Sequence, residues 1–243
     1  MNFKLGKLAA KKDERTLRLA DVMAPKPIIP DAYDFDAGKS VPTPMFLNDQ
    51  YGCCVMAGRA HQTLRFELTE QNQIIAVQDG DVLREYMSET GGQDSGLVVL
   101  DSLKEWQQNG WQAAAHRYNI HSFLAVNPQD QHEVMAAIYL MSGTGIGVQL
   151  PQSAMDQFQA GEPWTVQPDD GGIIGGHYVY LPAYNSTGPI CVTWGQRQQM
   201  TWEWFAAYCD EAFAIAQSRE PFVCNSPIDV GKLDMLLEEV QAA

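Results

Sequence analysis

The hydrophobic spacing of this chain changes period near residue 143, and that change limits the fold more than any single motif does. From Cys54 to about Glu70, Ala57, Ala60, Leu64 and Leu68 recur at helical spacing, with no proline or glycine after Gly58. Similar patterns predict helices over 79–89, 96–109 and 130–142, with turns at Gly91-Gly92 and Asn109-Gly110. Beyond 143, Ile146 to Leu150 alternates like a strand and Pro151 to Phe158 offers a short helix. The segments 176–184 and 189–194, rich in Val, Tyr, Ile and Thr, flank the hairpin signal Asn185-Ser186-Thr187-Gly188. A last helix is expected over about 201–217, with Trp202, Phe205, Tyr208 and Ala212 on it. Helices first and antiparallel strands later make an α+β chain of two lobes. We place the helical lobe at about 48–142, the β lobe at about 143–220 and a C-terminal tail at 221–243.

An extended arm precedes both lobes. Pro25, Pro27 and Pro30 break any long helix, leaving room for a short one between Asp13 and Met23. The stretch from Lys39 to Tyr51 reads as extended and ends in a turn at Asn48-Asp49-Gln50. The boundaries expected are 1–29 for the arm and 30–243 for the folded domain.

Charge narrows the partners. With 16 basic and 30 acidic residues the net charge is −14, which argues against a nucleic-acid surface. Basic residues nevertheless gather at Lys4, Lys7, Lys11, Lys12, Arg15 and Arg18. Such an arm can dock on an acidic surface of its own chain or of a partner, or stay solvated. No apolar run approaches the roughly 20 residues a bilayer demands. The N-terminus lacks the apolar core of a secretory signal, so a cytoplasmic setting, or a particle assembled in one, is expected. The five cysteines are odd in number and form no CxxC pair, which speaks against a disulfide scaffold or a zinc site. Neither a metal nor an organic cofactor is expected.

Two residues carry the chemistry. Cys54 opens a helix after Gly52, where free backbone N–H groups and the helix dipole favour a thiolate. His177, in Gly175-Gly176-His177-Tyr178-Val179, is placed to act as its imidazole partner. Cys53 is the alternative nucleophile, and two adjacent thiols could also close a vicinal disulfide. His61 shares the apolar face of α-helical Ala57, Leu64 and Leu68 and reads as structural. His116, His121 and His132 have no cysteine or carboxylate at useful spacing. Gly143-Thr144-Gly145-Ile146-Gly147 follows a helix and lacks a Lys-Ser/Thr pair, so it reads as a turn into a strand rather than a phosphate loop. Asp169-Asp170 reads as a solvated loop.

Taken in order, these pieces resemble the papain-like cysteine peptidases. Pro30-Asp31-Ala32-Tyr33-Asp34-Phe35 is similar to the start of a mature papain-type domain. Asn48-Asp49-Gln50-Tyr51-Gly52-Cys53-Cys54 is similar to the Gln-x-Gly-x-Cys-x-x-Cys run entering the catalytic helix. Gly176-His177-Tyr178-Val179 and Thr193-Trp194-Gly195 stand where that family has its His-Ala-Val strand and Asn-Ser-Trp-Gly. Leu5-Gly6-Lys7, Asp13-Glu14-Arg15-Thr16-Leu17-Arg18 and the motifs above resemble most an uncharacterised bacterial and bacteriophage group of the same fold.

The resemblance implies a two-lobed papain-like fold and a cysteine hydrolase, a peptidase or amidase working through an acyl-thioester. Cys54 would attack and His177 would shuttle the proton. Asn48 (with Gln50 as backup) would join the Cys54 N–H in the oxyanion hole. Thr193 stands where the family's ring-orienting asparagine belongs; Asn185 is nearer to His177 in sequence but is expected in the hairpin turn. Trp194 would cover the pair and Trp164 would line a pocket. The partner would be a peptide or amide substrate. A second reading is a catalytically weak or inactive papain-fold interaction protein, such as a phage virion accessory or decoration protein, whose arm contacts a partner in a larger assembly. A third lays the arm over the cleft as an inhibitory, propeptide-like segment.

Overall fold

The computed structural model describes residues 3–217 and 227–242. In chain order the helices are α1 (Leu19–Val22), α2 (Cys54–Gln71), α3 (Asp79–Glu89), α4 (Val99–Asn109), α5 (Gln131–Leu140), α6 (Gln152–Ala160), α7 (Trp202–Tyr208) and α8 (Val230–Ala242). The strands are β1 (Tyr33–Asp34), β2 (Trp111–Ala113), β3 (His116–Tyr118), β4 (Ser122–Ala125), β5 (Thr144–Pro151), β6 (Ile173–Tyr184), β7 (Pro189–Thr193), β8 (Gln196–Gln199) and β9 (Cys209–Ala216). Among the described residues, one antiparallel sheet runs β4-β9-β5-β6-β7-β8, with β1 added beside β6. The hairpin β2-β3 stands apart. The architecture is α+β, as the change of period predicts. No helix among the described residues is long and apolar enough to cross a membrane.

Local signals explain the helix ends. Gln78 and Asp81 form a capping box at the start of α3, and Asp130 accepts from the Glu133 N–H at the start of α5. Gly161 closes α6 in the left-handed region, at φ 72°. The predicted helix at 201–217 is a correction: helix α7 ends at Tyr208 and the chain continues as β9. Strand β9 lies between β4 and β5 and is buried almost throughout, so its Ala-Phe-Ala-Ile-Ala run lacks the alternation that marks a half-exposed strand. Residues 218–220 of the expected β lobe and 221–226 of the expected tail lie outside the described residues.

Two cores form. One lies in the helical lobe around α2, α3 and α4, and the other packs α5, α6 and α7 against the sheet. Helix α2 runs between them and is buried nearly all round, including Arg59, His61, Gln62, Thr63, Arg65 and Glu67. Ionised side chains in such a place need partners. Arg59 meets Glu89 at 2.7 Å and the Ser102 carbonyl at 2.6 Å. Arg65 forks onto Asp36 at 3.0 and 2.6 Å, and Arg197 of β8 adds a further bond to Asp36 at 3.2 Å. Asp36 thus ties the helical lobe to the sheet. Arg65→Met should lower the unfolding free energy by about 3 kcal/mol, since it leaves a buried carboxylate half-compensated. Arg197→Met, at a more exposed position, should cost about 1 kcal/mol or less, both losses being read from urea titration.

Candidate functional site

The sequence puts glycine where α2 meets β6. A Cβ on Gly58 would stand 2.5 Å from the Tyr178 ring, and one on Gly145 of β5 would stand 1.8 Å from the Tyr178 hydroxyl. Tyr178 therefore fits only because both neighbours lack side chains. That fit brings the first turn of α2, with Cys54, against the strand that carries His177.

Cys54 is the first residue of α2, and Cys53 precedes it as an N-cap without a side-chain capping bond. The Cys54 thiol is fully buried. Burial raises its pKa, although the backbone amides of Tyr178, Gly6 and Val55 and the charge of Lys7 all act to lower it. Cys53 turns its Sγ toward the Phe46 carbonyl at 3.5 Å, and burial pushes its thiol up to about 12. Both cysteines are free thiols.

His177 lies in β6 opposite Val148 of β5. Its Nε2 lies 2.7 Å from the Thr193 hydroxyl, which ends β7. Its Nδ1 is buried and has no hydrogen-bond partner among the described residues. Burial takes the ring pKa from 6.5 down to about 3, so the imidazole is neutral. Trp194 stacks on the ring at 4.3 Å and 13°. The two-residue turn Trp194-Gly195 joins β7 to β8 with φ of 42° and 80°, which matches the twist of a tight hairpin. A tryptophan at positive φ is uncommon, and here the turn sets the indole over the histidine.

Asn48 sits in the turn closed by its own N–H to the Met45 carbonyl at 3.1 Å. Its side chain is buried and Oδ1 has no partner among the described residues, whereas Gln50 is exposed. Asn185 does not orient the histidine. Its side chain closes the β6–β7 turn on the Thr187 and Gly188 N–H groups and donates to Gln199. His61 is buried beside Arg65 and the Pro44 carbonyl, with its pKa held well below the ordinary value by burial first. Trp164 is a core residue, tilted against Trp204 at 4.7 Å.

The cleft between the lobes is occupied by residues 3–8 of the same chain. The Lys7 N–H donates to the Gly176 carbonyl at 3.1 Å, beside His177. On the other wall, the Leu97 N–H donates to Gly6 O at 2.8 Å and the Leu8 N–H to Leu97 O at 2.9 Å. Gly6 packs on Gly52 so closely that a Cβ on it would lie 1.8 Å from the Gly52 carbonyl oxygen. Phe3 stacks on the outer face of Trp194 at 4.9 Å and meets Phe158 edge-on. Lys4 pairs with Asp94, whose carboxylate also accepts from the Gly52 N–H at 2.8 Å. Lys7 buries its side chain and reaches Asp210 at 2.8 Å and Glu211 at 3.1 Å. The basic character of the arm was visible in the sequence and a seat over the cleft was one of its readings, but the residues that hold it there were not. Glycine at position 6 and the two acids at 210 and 211 become informative only once the fold brings them together.

Neutral buried histidines have a thermodynamic signature. The unfolded chain takes up a proton near pH 6.5 and folded His177 only near pH 3, so stability is full above 6.5 and falls as pH drops below it. His61 acts in the same direction. Between pH 7 and pH 5, His177→Gln should lose about 2 kcal/mol less stability than the wild type in matched urea titrations. Equal losses would show that the ring is not held neutral.

No protein-family model and no curated protein matches the chain. Solved structures do. Xylellain, a cysteine protease from Xylella fastidiosa, matches with TM-score 0.68 and 15% identity, over 89% of this chain and 97% of that one. A procathepsin B from Trypanosoma congolense matches with TM-score 0.61 and 11% identity, over 88% and 86%. The Carica candamarcensis cysteine protease CMS1MS2, solved with E-64, matches with TM-score 0.56 and 13% identity, over 78% and 100%. At these identities the likeness is one of fold, and the chain has the papain-like cysteine protease fold.

Proposed function

We propose that the chain is a cysteine hydrolase, a peptidase or amidase, whose cleft is closed in the resting state by its own N-terminal arm. The observation that carries this reading is the state of His177. One ring nitrogen is held by Thr193, while the other is buried, with no partner among the described residues, on the strand packed against Cys54. An imidazole with one nitrogen held and one free is prepared to take a proton.

In the reaction, His177 Nδ1 accepts the Cys54 thiol proton and the thiolate adds to the substrate carbonyl carbon. The oxyanion takes hydrogen bonds from the Cys54 N–H and the Asn48 side-chain amide. His177 then gives its proton to the leaving amine as the C–N bond breaks, leaving an acyl-thioester that water hydrolyses with His177 as base. The Thr193 oxygen accepts from Nε2–H when the ring is charged, and Trp194 keeps water from that bond. A hydroxyl orients the ring with less charge stabilisation than a carboxylate gives in a Ser-His-Asp triad.

The arm silences the pair in two ways. Gly6 occupies the space beside Cys54 that a substrate carbonyl would need. Burial in the closed cleft also keeps Cys54 a thiol, against the pull of the Gly6 amide and the Lys7 charge, and His177 a neutral ring, so neither is in its reactive form. Departure of the arm admits water and favours the thiolate–imidazolium pair.

Steric expulsion tests this. In Gly6→Ala the added methyl collides with the Gly52 carbonyl, so E-64 or iodoacetamide should label Cys54 at least tenfold faster than in wild type at pH 7. His177→Ala in that background should return the rate to that of an ordinary thiol. If Cys54 labels at the ordinary rate in Gly6→Ala as well, the hydrolase reading fails and a binding module is favoured. Thr193→Val in the same background should reduce kcat about ten- to hundredfold with KM little changed.

A further inference from the structure

The arm meets the cleft as an extended peptide would. Its backbone bonds to Gly176 on one wall and Leu97 on the other, so the side chains it sends inward mark the pockets an extended ligand finds. The most deeply buried of these is Lys7. Its Nζ lies 2.8 Å from Asp210 and 3.1 Å from Glu211, and the Lys7 side chain is 0% exposed. Glu211 is itself 7% exposed, and burial acts to raise its carboxyl pKa while Lys7 acts to lower it. The wall beside the lysine stem is Gly147, where a Cβ would lie 2.1 Å from Lys7 Cε. The pocket is thus shaped for a long unbranched side chain and floored by acids that need a cation.

We infer that this pocket, formed by Gly147, Asp210 and Glu211, selects a lysine or arginine side chain in the peptide that binds the open cleft. The inference rests on the hydrolase reading for the guest's being a peptide. When the arm leaves, Glu211 becomes a carboxylate in a confined site without its ammonium partner. A guest bringing a cation restores the pairing, whereas an aliphatic guest of equal length leaves the acid uncompensated. The arm and the preferred substrate therefore compete for the same pocket with the same chemistry.

Binding can be measured apart from turnover in full-length chains carrying Cys54→Ala. The probe is fluorescein-labelled Phe-Lys-Leu-Gly-Lys-Leu, the sequence of residues 3–8, compared by anisotropy with an analogue bearing norleucine for the second lysine. In Cys54→Ala/Gly6→Ala the lysine peptide should bind at least tenfold more tightly, and Glu211→Gln added to that chain should abolish the difference. Lys7→Ala in place of Gly6→Ala, which removes the side chain that fills the pocket, should give the same preference. Equal affinities for the two peptides, or no binding to either chain, would overturn the inference. A missing hydrolytic activity with the lysine preference intact would instead overturn only the hydrolase reading.

Discussion

Tyr178 is held between two missing side chains, and the geometry of the cleft depends on that fit. Gly58 on α2 and Gly145 on β5 leave a slot that the phenol ring fills, with any Cβ at either position falling well inside contact distance. The helix can approach the sheet only along this line. Cys54 lies four residues before Gly58 on the helix, and His177 immediately precedes Tyr178 on the strand. The Cys54 thiol and the His177 imidazole are therefore positioned by packing, before any hydrogen bond between them is considered. The fork of Arg65 on Asp36, completed by Arg197, fixes the far end of the same helix-to-sheet contact.

Electrostatics organises the rest. In a chain with a net charge of −14, a basic N-terminal segment has acids to meet in many directions. The structure distributes its lysines over separate carboxylates: Lys4 on Asp94, Lys7 on Asp210 and Glu211, and Lys11 on Asp101. These contacts differ in weight. Lys4 and Lys11 are about half exposed and so are screened and weak, whereas Lys7 is enclosed. The enclosed pair fixes the register of the arm in the cleft, and the glycine beside it lets the backbone lie against Gly52.

Much of this was legible in the residues. The long helix from Cys54, the hairpin across Asn185–Gly188 and the change from helical to strand period all follow from local pattern. Thr193 was recognisable as a neighbour of the imidazole only through the resemblance, which sets Thr193-Trp194-Gly195 where papain-like peptidases carry Asn-Ser-Trp-Gly. Other parts were not legible for physical reasons. Strands β2, β3 and β4 have three or four residues each, too few for a period to show. Strand β9 is buried on both faces, and its alternating alanines suit a helix equally well until the sheet claims them. The Lys7–Asp210 contact joins residues 203 apart, and no local rule encodes it.

An occupant carried on the same chain behaves differently from one that arrives by diffusion. Residues 9–18 leave the cleft and pass on to the edge of β4, where Ala125 N–H donates to the Leu17 carbonyl at 2.7 Å. The segment that fills the cleft is thus tethered within about ten residues of a fixed anchor, at an effective concentration of order millimolar. Dilution does not empty such a site, and a peptide of ordinary affinity competes poorly against it. Control of the cleft accordingly belongs to whatever cuts, shifts or rewires the first eight residues, rather than to the abundance of ligand around the molecule.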